Sequence, residues 1–125
     1  MIENELSNII IGTSIEIHKE LGPGLLESIY EEVLFFELVQ KGLHVQRQLP
    51  VPLQYKDKRF DTAFRLDLLV NNKVVVELKA VESIAPVHYA QLLSYLRLSN
   101  KKLGLLINFN VKLLKDGIHR VVNNL

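Results

Sequence analysis

The sequence predicts an α/β fold in which helices pack on a mixed β-sheet that begins as an antiparallel meander. Three observations carry this. Two helical periodicities come first, then several β-rich runs, then one more helical stretch and further apolar strands. Leu66 to Val70 and Val74 to Leu78 flank Asn71, Asn72 and Lys73, the pattern of a tight β-hairpin. A hydrophobic fraction of 48% over 125 residues supports a single domain, 1–125, with a real core, and argues against disorder.

From Ile2 to Leu21 the positions Leu6, Ile9, Ile10, Thr13, Ile17 and Leu21 recur at helical spacing, and Gly22-Pro23-Gly24 ends the helix. A second helix is expected from Leu25 to Lys41, with Leu26, Ile29, Val33, Leu34 and Leu38 as its inner stripe and Gly42 as its cap. Leu43 to Leu49 alternates as a strand, and Pro50 and Pro52 mark an edge or a bent entry. After a short run from Leu53 to Tyr55, Lys56-Asp57-Lys58 makes a turn, and one long strand returns from Arg59 to Val70. Beyond the hairpin, Pro86 to Ser99 reads as a helix with Ser83 or Ile84 near its cap and an apolar stripe of Leu92, Leu93 and Leu96. Leu103 to Phe109 reads as a strand buried on both faces, where Gly104 permits close approach of the preceding helix. Gly117 to Val122 is a final edge strand, and Asn123 to Leu125 a frayed end.

The hairpin register follows from parity. With a two-residue loop, Asp67 and Glu77 point to opposite faces of the sheet. With a three-residue loop, Leu66 pairs with Leu78, Leu68 with Val76 and Val70 with Val74, which gathers six aliphatic residues on one face. The other face then carries Arg65, Asp67, Leu69, Val75, Glu77 and Lys79, with Asp67 opposite Glu77. Burial selects the second register, because a one-residue slip scrambles both faces. Asn tolerates the positive φ such a loop needs. Two carboxylates held about 5 Å apart repel unless a cation lies between them, and a hard divalent ion with oxygen ligands suits the spacing.

Asp67 followed by Glu77-Leu78-Lys79 resembles the active-site core of the PD-(D/E)XK nuclease superfamily. Leu21 to Glu27, extended to the G-x-x-E-x-x-Y spacing of Gly24, Glu27 and Tyr30, resembles the signature of the small GxxExxY family grouped with that superfamily. The resemblance covers Ile15 to Asn123 and implies a restriction-endonuclease-like core acting on nucleic acid. It implies that Asp67, Glu77, the Leu78 backbone carbonyl and Glu27 surround Mg²⁺ or Mn²⁺, that Lys79 positions the attacking water, and that Gln91 orients substrate. Tyr30, His88 and Tyr95 would form the substrate rim. Read from its helix alone, Glu27 only complements the helix dipole; the resemblance assigns it to the acidic cluster.

Charge pulls the other way. Fifteen Lys plus Arg against fourteen Asp plus Glu leave +1, a weak footprint for a polyanion binder. Lys56, Lys58 and Arg59, and Lys101 with Lys102, read as solubilising turn residues rather than phosphate tracks. No cysteine is present, which excludes a disulfide framework, and no Cys/His cluster suggests zinc. Without an apolar leader or span, a cytoplasmic location is the expectation, and exposed edges with small size suit a homodimer. Two rivals to catalysis remain open at this level: a non-catalytic module that binds nucleic acid or protein on the nuclease frame, and a mere ion-pair ladder across the hairpin.

Overall fold

The computed structural model describes residues 1–125. Helix α1 spans Glu3–Leu21 and α2 Glu27–Gln40; strands β1 (Val45–Tyr55), β2 (Lys58–Val70) and β3 (Val74–Lys79) follow, then helix α3 (Pro86–Ser99), strand β4 (Leu103–Asn108), a 3₁₀ turn at Leu114–Gly117 and strand β5 (Ile118–Val122). The five strands lie in sequence order, antiparallel except for the parallel pair β3 and β4 that α3 connects. This is a mixed five-stranded sheet flanked by three helices, the α/β restriction-endonuclease-like core that the sequence predicts. No helix is long and apolar enough to cross a membrane.

Both faces of the sheet are covered. Leu68, Val70, Val74, Val76 and Leu78 pack with Leu105 and Ile107 against Leu6, Ile10 and Ile17 of α1 and Tyr30, Leu34 and Leu38 of α2. On the opposite face Leu66, Leu69, Val75 and Leu106 meet Leu92 and Leu96 of α3. Gly104 of β4 lies beneath α3: a Cβ there would stand 2.8 Å from Leu92 Cδ1, so the close approach expected from the sequence is real.

The hairpin takes the three-residue register, with Leu68 opposite Val76, Leu69 opposite Val75 and Val70 opposite Val74, and with Asn71 and Asn72 at positive φ. The energetics favour this despite the paired carboxylates. Like charges 4 Å apart repel by about 4 kcal/mol at an effective dielectric constant near 20. Each buried aliphatic side chain stabilises the fold by roughly 1.5–3 kcal/mol, and a slip would break the packing of the five that share the α1/α2 face.

Four expectations are corrected. The ladder stops at Leu68 and Val76, so Leu66 does not pair with Leu78; β2 turns at Asp67 and sends Leu66 into the α3 core. The two runs around Pro50 and Pro52 are one edge strand, where prolines lacking N–H groups are tolerated, with a register shift between Val51 and Leu53. Helix α2 starts at Glu27, two residues later than expected, and its inner stripe is Tyr30, Leu34 and Leu38, while Leu26 and Ile29 are exposed at 73% and 39%. The cap of α3 is Ala85, whose N–H donates to His88 Nδ1 at 3.0 Å.

Candidate active site

The interrupted ladder builds the site. Where β2 and β3 part, two backbone N–H groups lose their cross-strand carbonyls and need other acceptors. The Asp67 N–H donates to Glu77 Oε1 at 3.1 Å, and the Leu78 N–H donates to Asp67 Oδ2 at 2.8 Å. Each carboxylate therefore commits one oxygen to the opposing backbone, and the second Asp67 oxygen has only a long 3.4 Å contact from Gln48 Nε2. Glu77 is only 6% exposed, and Asp67 is half-buried.

This placement sets the electrostatics. Burial pushes the Glu77 carboxyl up to about 8, the Asp67 charge adds to the rise, and the Asp67 N–H and Lys79 offset part of it. Asp67 is also raised, first by burial and then by Glu31, against the Leu78 N–H and Lys79. Each acid lies within reach of the other: Asp67 accepts from the Leu78 N–H beside Glu77, and the Asp67 charge favours the protonated form of Glu77. A buried carboxylate pair with one proton is a site that a divalent cation can occupy in the proton's place.

Lys79 leaves the end of β3 beside them and belongs to none of the ion pairs, which join Lys41 to Glu16, Arg47 to Glu31 and Arg59 to Asp61. An ion-pair ladder across the hairpin is thus not what these residues form. Glu27, at the start of α2, feels the same group: partial burial raises its carboxyl, Lys79 lowers it, and Asp67 and Glu31 raise it again. Tyr95 on α3 is raised by burial and by the charges of Glu77 and Asp67, so it faces the pair, with its ring stacked on Phe64 at 4.1 Å. The structure therefore brings Glu27, Asp67, Glu77, Lys79 and Tyr95 into one electrostatic unit. Gln91 is exposed on α3, four residues before Tyr95, and His88 is taken up by the helix cap.

Tyr30 stands elsewhere. It is fully buried, stacked on Phe109 at 4.4 Å; its hydroxyl donates to the Gly22 carbonyl at 2.6 Å and accepts from the Leu25 N–H at 3.1 Å. It is not a substrate rim but the lock on the Gly22-Pro23-Gly24 turn, from which α2 presents Glu27. Tyr30→Phe is expected to keep the stack and lose both bonds, a cost of about 1–3 kcal/mol read as a lower urea midpoint.

Three residues escaped the sequence reading. Glu31, buried at 7% exposure, accepts from Arg47 Nη2 at 3.1 Å and from Gln48 Nε2 at 2.7 Å, and Gln48 reaches on toward Asp67 Oδ1 at 3.4 Å. The Arg47 guanidinium also lies over Phe35. Gln48 holds φ at +48°, uncommon for a residue other than glycine, Asn or Asp, and it does so opposite the point where β2 turns. Glu31 was legible as the residue one turn after Glu27 on the same helical face, and Arg47 as the polar break in an apolar run. Nothing in the chain announces Gln48.

As a metal site the donor set is sparse. No three His, Cys, Asp or Glu side chains are gathered closely enough to chelate an ion unaided. Magnesium suits this chemistry: it is commonly held by one or two carboxylates and completes its shell with water and substrate phosphate. Since Lys79 C=O accepts from the Phe109 N–H on the β4 side, strand alternation turns the Leu78 carbonyl to the β2 side, where Asp67 lies. Asp67 Oδ1, the Glu77 oxygen not engaged by the Asp67 N–H and that carbonyl are hard donors that fit such a cation. None of the three cavities is lined by Asp67, Glu77 or Lys79.

A mixed sheet with an acid pair and a free lysine where a hairpin opens is the arrangement of a nuclease-type α/β domain. The family model of the PD-(D/E)XK nuclease superfamily matches residues 4–121, and the chain belongs to that superfamily. Membership implies nuclease-type chemistry on nucleic acid with divalent metal ions. No curated protein and no solved structure matches the chain.

Proposed function

We propose that this protein is a metal-dependent nuclease that hydrolyses phosphodiester bonds of nucleic acid at Asp67, Glu77 and Lys79. The observation that carries the reading is the Asp67 and Glu77 pair, each tied by one oxygen to the opposite strand, with only a long contact from Gln48 on the second Asp67 oxygen. Asp67, Glu77 and the Leu78 carbonyl hold Mg²⁺ or Mn²⁺, and Glu27 completes the acidic rim. When bound, the ion supplies Lewis-acid polarisation of the phosphate and lowers the pKa of a water. Lys79 Nζ, free of any carboxylate, orients the attacking water and meets the charge that develops on the phosphate oxygens. Arg47 pairs with Glu31, which holds Gln48 beside Asp67. Gln91 and Tyr95 orient substrate from α3. The Gly24, Glu27 and Tyr30 spacing supports membership of the GxxExxY group.

Incubation of the protein with labelled DNA and RNA, with Mn²⁺ or Mg²⁺ and with EDTA, tests this. Divalent-dependent cleavage that Asp67→Asn removes is the expected result. No cleavage of either polymer, with cation binding intact, would leave a non-catalytic binding module on the nuclease frame.

A further inference from the structure

A cavity of about 420 Å³ opens between the last turn of α1 and the segment that follows β4. Its lining includes Lys19, Lys112 and Lys115, an apolar wall of Ile15, Pro23 and Leu113, and no carboxylate. None of these lysines belongs to an ion pair. The walls are fixed. His18 Nε2 lies 3.1 Å from the Phe109 carbonyl and 2.8 Å from the Val111 carbonyl; because both are acceptors, Nε2 carries the proton, and the segment bearing Lys112 and Lys115 is tied to the helix bearing Lys19. The opposite wall is the Gly22-Pro23 turn, held by Tyr30 Oη.

Lys19, Lys112 and Lys115 gather three cations with no ion-pair partner around one cavity whose lining holds no carboxylate, and an anion bound there would relieve their mutual repulsion. The volume lies within the range of small-ligand sites, and an apolar wall beside a cationic one matches a ligand with a flat ring and a charged group. We propose that this cavity binds a phosphorylated nucleotide unit, with its phosphate on Lys19, Lys112 and Lys115 and its base against Ile15, Pro23 and Leu113. The shared chemistry is a phosphate monoester on a nucleoside, either free or as the phosphorylated end of a strand. The choice of a nucleotide rests on the nuclease reading, but the site does not overlap Asp67, Glu77 or Lys79.

The test is binding to the whole chain without divalent metal, read by amide and methyl NMR shifts and by fluorescence anisotropy. The probes are inorganic phosphate, deoxyadenosine monophosphate, and one short single strand with and without a 5′-phosphate. The nucleotide or the phosphorylated strand is expected to shift Ile15 and Leu113. The combined variant Lys19→Gln, Lys112→Gln, Lys115→Gln should weaken binding at least tenfold and cut the slope of log strand affinity against log salt by about 0.7, as loss of the contact to one phosphate of a single strand predicts. Its urea midpoint should equal or exceed that of the wild type. Binding of the free nucleotide marks a small-ligand site, and binding of the phosphorylated strand alone marks an end-recognition site; either supports the proposal. Inorganic phosphate binding as tightly as the nucleotide, equal affinity for both strands with no binding of the free nucleotide, no binding of any probe, or undiminished binding by the variant overturns it. Because cleavage is not measured, failure here leaves the nuclease reading standing, and an inactive protein leaves this one standing.

Discussion

Lys79→Ala and Glu77→Gln are each expected to remove divalent-dependent cleavage while the fold persists. Removing one preorganised group that stabilises transition-state charge typically costs about 10²–10³-fold in rate. Lys79 makes no ion pair, so its ammonium group is not holding the fold together. Its charge does favour the ionised forms of Asp67 and Glu77, so any stability change in Lys79→Ala should be read through those two acids. Gln is a neutral isostere of protonated Glu77 and keeps the acceptor that Glu77 Oε1 offers the Asp67 N–H. The measurement is single-turnover cleavage beside urea unfolding for each variant. Rates within tenfold of wild type in both would show that the chemistry lies elsewhere.

In EDTA, the stability of the protein should fall as pH rises from about 4.5 to about 8. The Glu77 carboxyl is raised from 4.5 to about 8 in the folded state. Between those values the folded protein keeps a proton that the unfolded chain has released, so stability is lost as pH increases, at a limiting slope of about 1.4 kcal/mol per pH unit. The total is on the order of a few kcal/mol, and Asp67, also raised, adds in the same direction. Glu77→Gln should flatten the profile. Mg²⁺ or Mn²⁺ should restore what the lost proton removed, more at pH 8 than at pH 5.5, with about 2.7 kcal/mol expected at a hundredfold excess over Kd. Asp67→Asn should abolish that gain. Urea midpoints across the pH range, with and without the ion, check both claims. A flat profile in EDTA, or the same gain in Asp67→Asn, would remove the carboxylate pair as the metal site.

The site was partly legible in the chain because its acids are encoded by strand parity. Leu68, Val70, Val74 and Val76 demand one register, and it brings Asp67 and Glu77 to the end of the ladder, where each bonds the facing backbone although the two are no longer a ladder pair. Glu27 and Glu31 lie one helical turn apart and share a face by the same kind of periodicity. Periodicity could not reveal Tyr30 as a turn lock, since its bonds to Gly22 and Leu25 depend on how the chain doubles back before α2. Nor could it reveal that the Lys19, Lys112 and Lys115 side chains line one cavity, because they come from segments far apart in sequence.

What the sequence determined by itself is local: element types, the three-residue hairpin loop, the burial of β4 and the pairing of two carboxylates on adjacent strands. Each follows from periodicity and from burial energies of roughly 1.5–3 kcal/mol per aliphatic side chain, which act within one or two elements. Only the tertiary structure decided that the hairpin opens at Asp67, that the carboxylates take over the missing backbone acceptors, and that Gln48, Glu31 and Arg47 stand behind them. Those outcomes balance a broken ladder on β2 and β3 against contacts from α2 and β1, and no single segment carries the terms of that balance.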